Sequence, residues 1–333
     1  MHQRIRKICI TGGAGFIGSA FVRQAVAKGM RVIIIDKLTY AGDLKRLGSA
    51  RKKIKIYKTD IGRFPLLEKI FKKERPETVV HFAAETHVDR SILRAADFVT
   101  TNVTGTQNLI DLSRQYGVKK FLHISTDEVY GDSKTGTFTE TAPVRPNNPY
   151  SATKAAAEML VKAAIRTHGF PAIIIRPANN YGPWQYPEKL IPVVVLKAFN
   201  NQRVPVYGRG QQIREWLYVE DCAEAVHLIA RKGKIGEVYN IGSYHEQNNL
   251  TTVKGILKTL GKPHQLIQFV KDRPGHDFRY SVNCTKLKRL GWRPRTSFSE
   301  GIIETVQWYL KNIAWMNKKQ NLLEQYWKKV YKP

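Results

Sequence analysis

The stretch Thr11-Gly12-Gly13-Ala14-Gly15-Phe16-Ile17-Gly18 lies between a short β-branched run at residues 5–11 and an alanine-rich segment with helical spacing at residues 19–28. In that position each glycine has a physical use: Gly12 allows a sharp turn, Gly15 lets the backbone approach a pyrophosphate, and Gly18 permits close packing of helix on strand. The amino end of the helix also presents free N–H groups and a positive dipole to phosphates. The spacing therefore predicts a dinucleotide-binding turn rather than a purely structural one.

An acidic residue closes the next strand-like run, Val32-Ile33-Ile34-Ile35, and stands 18 residues beyond Gly18. At this place Asp36 can accept hydrogen bonds from the ribose hydroxyls of an adenosine, and its charge would repel a 2′-phosphate. The cofactor predicted is therefore NAD rather than NADP, although the neighbouring Lys37 weakens that preference.

Strand-like and helix-like segments continue to alternate along the chain. Strands are predicted at residues 53–58, 78–82, 120–125 and 171–175, and helices at residues 66–73, 102–116 and 150–168. Strands that alternate with helices of this kind imply parallel crossover connections. The fold class predicted is α/β, with a doubly wound parallel sheet of the Rossmann type.

The character of the chain changes beyond residue 179, where prolines and glycines punctuate residues 179–210 and helical spacing returns at 220–231 and 250–260. We expect an NAD-binding domain at residues 1–178, to which some later segments return, and a smaller C-terminal substrate lobe with the final helices at 179–333. In that tail Trp308 and Trp315 are seven residues apart, which predicts that both lie on one side of a helix and serve core packing.

Composition excludes several classes of protein. The chain is 42% hydrophobic, yet its apolar runs are far shorter than the ~20 residues that a membrane-spanning helix needs. The amino end lacks the pattern of a signal peptide, so we expect a cytoplasmic protein. Three widely separated cysteines, Cys9, Cys222 and Cys284, argue against a disulfide framework and a thiolate zinc site, and we predict no metal.

The charge of the chain is strongly positive, because 55 Lys and Arg residues face 27 Asp and Glu residues, a net charge of +28. Clustered cations would indicate a nucleic-acid partner. The basic residues recur along the whole chain instead of forming one tract. They therefore favour a lysine-rich surface that attracts anionic ligands, without a nucleic-acid partner.

Tyr150 and Lys154 lie four residues apart, on one face of the predicted helix at 150–168. An ammonium group beside a phenol favours the phenolate, so Lys154 is expected to lower the pKa of Tyr150 and make it a usable base for an alcohol proton. An isolated Tyr-x-x-x-Lys match most often lies on a surface helix. The position of this match within a dinucleotide-binding fold favours a catalytic role.

The segment Ser125-Thr126-Asp127-Glu128 ends the strand before that helix, at the carboxyl edge where open parallel sheets bind ligands. Two adjacent carboxylates there could be solvated loop acids. If they face a dry pocket, burial and mutual repulsion raise at least one of their pKa values, leaving one acid protonated and the other ionised. Acid-assisted elimination requires this arrangement.

Together these residues resemble the extended short-chain dehydrogenase/reductases and, within them, the nucleotide-sugar 4,6-dehydratases, most closely those that act on dTDP-glucose. The likeness runs from the first strand to about Asn283. Further motifs that carry it are the runs at residues 36–42, 83–91, 179–183, 187–192, 205–208, 215–221 and 273–277. The Thr126-Asp127-Glu128 triplet is the most specific, because the 4-epimerases of the same superfamily usually lack the Asp-Glu pair.

The resemblance implies a reaction in three stages. Tyr150, held by Lys154 and helped by Thr126, takes the proton of the sugar 4-hydroxyl while hydride leaves carbon 4 for NAD. Glu128 then removes the proton on carbon 5 as general base, and Asp127 as general acid protonates the departing 6-hydroxyl. Hydride returns to carbon 6, which gives a 4-keto-6-deoxy sugar.

The resemblance also implies the ligand contacts and the assembly. The cofactor contacts would be Gly12, Gly15, Phe16, Ile17, Gly18, Asp36, Lys37, Leu38, Thr39, Asp60, Ile61, Ala83, Ala84, Thr86, Thr101, Tyr150, Lys154 and Asn180. The nucleotide-diphospho-sugar contacts would be His87, Thr126, Asn179, Lys189, Leu190, Pro205, Tyr207, Arg214, Asn249, Arg273 and His276. Relatives pair two long helices across a two-fold axis, so we expect a homodimer built on residues 102–116 and 151–168.

Other functions stay open at this point. One is another nucleotide-sugar enzyme of the superfamily, such as a UDP-glucose 4,6-dehydratase, a 4-epimerase or a decarboxylase. A more remote alternative is a basic dinucleotide-binding protein without turnover that acts as a nucleic-acid or regulatory partner.

Overall fold

The structure is a computed structural model that describes residues 6–330, apart from the side chains of residues 321, 322, 328 and 329. Ile5, where the first predicted strand begins, and residues 331–333 of the predicted lobe lie outside the described residues. The strands are β1 Lys7–Thr11, β2 Arg31–Asp36, β3 Lys55–Lys58, β4 Thr78–His81, β5 Lys120–Ile124, β6 Ala172–Pro177, β7 Asn179–Tyr181, β8 Val204–Tyr207, β9 Ile213–Tyr218, β10 Val238–Ile241, β11 Glu246–Asn248 and β12 Ile267–Val270.

The α-helices follow the strands in the order that a doubly wound fold requires. They are α1 Phe16–Ala27, α2 Phe64–Glu74, α3 Val88–Leu93, α4 Ala95–Phe98, α5 Gly105–Gln115, α6 Pro149–His168, α7 Leu190–Phe199, α8 Val219–Lys232, α9 Asn249–Thr259, α10 Thr285–Arg289, α11 Phe298–Lys311 and α12 Ile313–Val330. A π-helical segment at Val99–Thr104 joins α4 to α5, and a short 3₁₀ turn at Asp127–Tyr130 follows β5.

Seven strands form one sheet in the order β10-β6-β5-β4-β1-β2-β3. Every pair of neighbours is parallel. The strands are short β-branched runs because both faces of the sheet are covered. The predicted α/β class with a doubly wound parallel sheet is therefore confirmed.

Alternate residues of each strand face opposite sides of the sheet, and the two sides have separate cores. Ile8 and Ile10 pack in the cluster that contains residues of α1 and α8. Cys9 belongs to the cluster that contains residues of α2, α5 and α6. With both faces covered, the carboxyl edge is where the sheet opens to a ligand.

A third core holds the smaller lobe together. It joins α7, α9, α11 and α12 to strands of a three-stranded sheet in the order β11-β9-β7 and of a two-stranded sheet of β12 and β8. Strand β10 comes after α7 and β9 of the lobe in the chain, yet it pairs with β6 in the large sheet. The division of the chain between residues 178 and 179 stays a prediction.

The tail differs from expectation, because Trp308 lies in α11 and Trp315 in α12. Helix α11 ends at Lys311, and the side-chain amide of the next residue, Asn312, donates to the carbonyl of Trp308 at 2.9 Å. The prediction that one helix carries both indoles is therefore wrong. The two rings still meet, with centroids 5.8 Å apart, and Trp184 contacts both.

Cys9, Cys222 and Cys284 are buried and free, as predicted for core residues. Within residues 6–330, no helix combines the length and the apolar character needed to cross a bilayer.

Candidate active site

A cleft of about 400 Å³ opens at the carboxyl edge of the seven-stranded sheet, between the sheet and the smaller lobe. Its lining includes the predicted catalytic, cofactor and substrate residues with two exceptions, Leu38 and Asp127. The backbone N–H of Leu38 donates to Asp36 at 2.8 Å, so this residue supports the cleft from outside. The fold thus brings together side chains from positions 12 to 276 of the chain.

The glycine turn has the shape of a phosphate cradle. Gly12 has a φ of +70°, and a Cβ on it would come within 2.5 Å of the backbone nitrogen of Ala83. A Cβ on Gly18 would overlap the carbonyl oxygen of Gly12. Helix α1 starts directly after Gly15 without a side-chain cap, so its first N–H groups are open to an anion. The turn therefore fits the pyrophosphate of a dinucleotide.

The close contact at Gly18 leads to a first testable prediction. Gly18→Ala must displace the turn, and we expect at least a tenfold loss of NAD affinity, about 1.4 kcal/mol or more, by calorimetric titration. Gly255→Ala in α9 is the matched control, because a Cβ there meets no atom within 4 Å. Equal affinities of the Gly18→Ala variant and the wild type would contradict the role of the turn.

Asp36 is fixed at the end of β2 by two backbone donors. Its Oδ2 accepts from the N–H of Ala14 at 2.9 Å and its Oδ1 from the N–H of Leu38 at 2.8 Å. The ammonium of Lys37 pairs with Asp60 at 2.7 Å. Because Lys37 already has a carboxylate partner, it competes less for a 2′-phosphate than its position in the sequence suggested.

Tyr150 and Lys154 lie in the first turns of α6, which begins with a capping box between Asn148 and Ser151. Both are buried. The ammonium of Lys154 donates to the carbonyl of Ile124 at 2.6 Å. Burial lowers the pKa of Lys154 to about 8.

The predicted lowering of the Tyr150 pKa is wrong for the chain by itself. Burial raises this pKa, the negative charge of Glu128 raises it further, and a hydrogen bond with Thr126 opposes the change. The ammonium of Lys154 is directed to the carbonyl of Ile124 and does not offset these effects. A positively charged cofactor ring beside the phenol would lower the pKa of Tyr150, as the sequence predicted.

The 3₁₀ turn after β5 separates the two adjacent carboxylates. Glu128 lines the cleft, whereas Asp127 is almost fully buried, and its Oδ1 accepts from the hydroxyl of Thr126 at 3.2 Å. Its Oδ2 is buried and has no hydrogen-bond partner among the described residues. The two acids therefore sit in different environments although they are neighbours in the chain.

The pKa values of both acids are raised, as predicted for a buried pair. Burial is the main cause for Asp127, whose pKa is raised well above its usual value, and the charges of Glu128 and Glu215 add to it. Burial also raises the pKa of Glu128, but Arg273, Lys189 and Arg214 oppose that shift. Asp127 is thus suited to hold a proton and Glu128 to accept one.

The raised pKa of Asp127 makes a prediction about stability. In the folded protein this carboxyl prefers its proton, so its contribution to stability is complete below its unfolded pKa, near 3.8, and is lost as pH rises through the folded pKa. Asp127→Asn should therefore increase the free energy of unfolding at neutral pH by about 1–2 kcal/mol, with little effect in acid.

Urea unfolding of Asp127→Asn at neutral and acidic pH measures this difference. Asp97→Asn is the control, since the Asp97 side chain is 55% exposed. A variant that is less stable than the wild type at neutral pH would refute the raised pKa.

Three cations face the cleft from the lobe side and carry the positive charge that a diphosphate needs. Arg214 donates to the backbone carbonyls of Ile213 and Asp277 at 2.7 and 3.0 Å, and Lys189 donates to the carbonyl of Thr86 at 2.9 Å. Arg273 donates to Asp89, and its Nε is buried without a partner among the described residues. The two guanidinium groups can bind a diphosphate bidentately, and the ammonium of Lys189 adds a single positive charge.

Both predicted histidines of the cleft are held by protein groups. His87 Nε2 lies 3.1 Å from the carbonyl of Glu188, and its Nδ1 lies 3.1 Å from the hydroxyl of Tyr326. His276 Nδ1 lies 2.6 Å from Asp272. Tyr326 comes from α12 and was not found from the sequence, because its partner is 239 residues away.

Arg46 is a second residue that sequence reasoning missed. It is 1% exposed, and its guanidinium donates to the carbonyl of Ala14 at 3.0 Å, to that of Trp184 at 3.1 Å, and to that of Ala41. These bonds tie the glycine turn to the smaller lobe. A lysine-rich and arginine-rich chain gives no signal that singles out this one cation.

Comparisons with known proteins agree with this geometry. The chain matches the family model described as GDP-mannose 4,6 dehydratase over residues 9–305. The dTDP-glucose 4,6-dehydratase of Neisseria meningitidis serogroup B is 46% identical to it over 345 aligned residues, covering 96% of each chain. That of Salmonella typhimurium is 45% identical, covering 96% of this chain and 97% of its own.

Solved structures agree as well. The dTDP-glucose 4,6-dehydratase of Streptomyces venezuelae, solved with NAD bound, superimposes with a TM-score of 0.90 at 42% identity, covering 92% of this chain and 98% of that one. The UDP-glucose 4-epimerase of Thermotoga maritima has a TM-score of 0.87 at 31% identity, covering 92% and 99%. From the matching model and these near full-length relatives, the chain belongs to the GDP-mannose 4,6 dehydratase family, together with the dTDP-glucose 4,6-dehydratases.

Proposed function

We propose that this protein is an NAD-dependent hydro-lyase that converts dTDP-glucose into dTDP-4-keto-6-deoxyglucose and water. The observation that carries the proposal is the adjacent pair Asp127 and Glu128: Glu128 lines the cleft together with Tyr150 and Lys154, and Asp127 beside it in the chain is buried. Oxidation of an alcohol by NAD needs no acid or base beyond the tyrosine, with the lysine beside it. Loss of water needs an acid and a base in addition.

The residues of the cleft fit NAD. Gly12, Gly15 and Gly18 form the cradle for its pyrophosphate, and Asp36 has further lone pairs for its adenosine ribose. Bound NAD supplies the acceptor for the hydride of carbon 4 and gives it back at carbon 6. Further contacts come from Phe16, Ile17, Lys37, Thr39, Asp60, Ile61, Ala83, Ala84, Thr86, Thr101 and Asn180, with Leu38 in a supporting place.

Tyr150 takes the proton of the 4-hydroxyl at its phenolic oxygen. Thr126 hydrogen-bonds to that oxygen, and Lys154 lies one turn further along α6, with its ammonium on the carbonyl of Ile124. The pKa of Lys154, lowered to about 8 by burial, keeps a substantial cationic fraction near neutral pH.

Glu128 and Asp127 then divide the elimination between them. Once carbon 4 is a ketone, the proton on carbon 5 becomes acidic, and Glu128 accepts it at the cleft surface. Asp127 provides its proton to the leaving 6-hydroxyl, which departs as water. The opposite surroundings of the two acids support these roles, because burial and two carboxylate neighbours hold Asp127 neutral while cations face Glu128.

The nucleotide sugar occupies the lobe side of the cleft. Arg214, Arg273 and Lys189 bind its diphosphate, and the net charge of +28 draws such an anion towards the protein. The remaining contacts are His87, Asn179, Leu190, Pro205, Tyr207, Asn249 and His276.

A panel of nucleotide sugars tests the proposal. The purified protein should convert dTDP-glucose into a product lighter by one water that absorbs as a 4-keto sugar in alkali, without net consumption of added NAD. An unchanged mass would indicate an epimerase, and loss of carbon dioxide from a uronic acid substrate a decarboxylase. Conversion of none of dTDP-, UDP- and CDP-glucose would refute the proposed function.

We also propose that the protein is a homodimer that pairs α5 and α6 with their copies. The support is apolar exposure on and near these helices, since Met159 of α6 is 44% exposed and Val99, in the π-helical segment before α5, is 48% exposed. Met159→Lys should halve the molar mass seen by light scattering. The cytoplasmic location and the absence of a nucleic-acid partner stay predictions.

A further inference from the structure

Tyr280 is a buried tyrosine of the cleft that the proposed reaction does not yet use. It is 1% exposed, and its phenolic oxygen lies 3.5 Å from Oε2 of Glu128. The same hydroxyl makes a shorter hydrogen bond to Oδ2 of Asp277. The guanidinium of Arg214 stacks over its ring, 4.5 Å from the centroid. Tyr280 is therefore fixed between two carboxylates.

The direction of the Tyr280 hydroxyl follows from these distances. A phenol has one O–H to donate, and Asp277 is the nearer acceptor. Asp277 is itself held, because its Oδ1 accepts from the side-chain amide of Asn147 at 2.5 Å. With its proton directed to Asp277, Tyr280 turns an oxygen lone pair towards Glu128.

We propose that Tyr280, oriented by Asp277, is a positioning residue for Glu128 that accepts a hydrogen bond from its acid form. This inference rests on the proposed function. In the elimination, the bond between carbon 5 and its hydrogen breaks and an O–H bond forms on Glu128. The electron pair becomes the double bond between carbons 5 and 6, and the 6-hydroxyl leaves with the proton of Asp127. The new O–H of Glu128 points to the oxygen of Tyr280.

The arrangement favours the protonated form of Glu128 over its ionised form, which makes the carboxylate a stronger base. Other groups act on the same carboxyl. Those that face it with charge or a titratable proton are Asp127, Tyr150, Lys189, Arg214, Arg273 and Asp277. The cations among them favour the ionised form of Glu128. The oxygen of Tyr280 opposes them, because it accepts a hydrogen bond from the protonated form at Oε2.

The test compares Tyr280→Phe and Asp277→Asn with the wild type. Tyr280→Phe removes the acceptor, and Asp277→Asn weakens the hold on the phenolic proton, which can then turn to Glu128 and stabilise its ionised form. Both variants should shift the acidic limb of the pH profile of kcat to lower pH. Both should also slow water loss about tenfold, the effect of one hydrogen bond lost as the proton moves.

Tyr239→Phe is the matched control, because Tyr239 is also a buried tyrosine and its hydroxyl accepts from the backbone of Lys234, outside the cleft. Infrared difference spectra of the carboxyl band of Glu128, assigned by its loss in Glu128→Gln, read the same shift without turnover. If either variant does not fold, the other carries the test.

An acidic limb and a carboxyl band that stay unchanged in Tyr280→Phe, or in Asp277→Asn, overturn the positioning role while the dehydratase activity stands. A wild type that converts no nucleotide-glucose overturns the proposed function and this role together.

Discussion

Glu128→Gln should stop the reaction after the sugar has been oxidised. An amide has no basic site for the proton on carbon 5, whereas the groups that act at carbon 4 remain in place. We expect water loss to fall by about 10²–10⁴-fold, the usual contribution of a general base. A single turnover should show the absorbance of reduced nicotinamide rising and then persisting, because the hydride cannot be returned to carbon 6.

The carboxylate on the surface of α11 offers a control for that experiment. Glu304 is exposed, and Glu304→Gln makes the same chemical change at a residue that does not line the cleft. It should leave the rate and the transient absorbance unchanged. Normal turnover by Glu128→Gln would remove this carboxylate from the mechanism.

Tyr150→Phe should stop the reaction one step earlier. Without the phenolic oxygen, to which Thr126 hydrogen-bonds, the proton of the 4-hydroxyl loses its acceptor. The expected loss in kcat is again about 10²–10⁴-fold, but no reduced nicotinamide should accumulate. Reduced nicotinamide should therefore accumulate in Glu128→Gln but not in Tyr150→Phe, which distinguishes a block in elimination from a block in oxidation.

Tyr116→Phe, at the carboxyl end of α5, serves as the control for loss of a tyrosine hydroxyl. Accumulation of reduced nicotinamide in Tyr150→Phe would show that another group accepts the alcohol proton.

The part of the fold best predicted from sequence is the parallel sheet. Strands covered on both faces must be apolar throughout, so runs such as residues 32–35 stand out from helices with mixed faces. The location of the active site could also be predicted from the parallel sheet. Once the first glycine turn and the Asp127-Glu128 pair are assigned to strand ends, a parallel sheet brings them to one edge.

Helix α7 is an element that could not be assigned as a helix from the periodicity of its sequence. Its run Val193-Val194-Val195-Leu196 is apolar on every side and entirely buried, so it lacks the alternation that distinguishes a helix from a strand. The break between α11 and α12 was missed for a related reason. A spacing of seven residues indicates one helix face only when the helix is continuous, and α11 ends at Lys311, between the two tryptophans.

The pKa of Tyr150 could not be predicted from the spacing of two residues. The distance in sequence between Tyr150 and Lys154 says which face they share, but not where the ammonium finds its acceptor. That acceptor is the carbonyl of Ile124, contributed by β5. Arg46 and Tyr280 were missed similarly, because their partners come from distant parts of the chain.

The contact between Tyr326 of α12 and His87 has a consequence for biosynthesis. Domains form progressively as the chain leaves the ribosome, starting from the amino end. A nascent chain that has emerged as far as β10 already contains all seven strands of the large sheet and its glycine turn. Helix α12 emerges after every other described element. The nucleotide-sugar half of the cleft therefore forms later than the dinucleotide half. Chains arrested before residue 313 should bind the dinucleotide but not the nucleotide sugar.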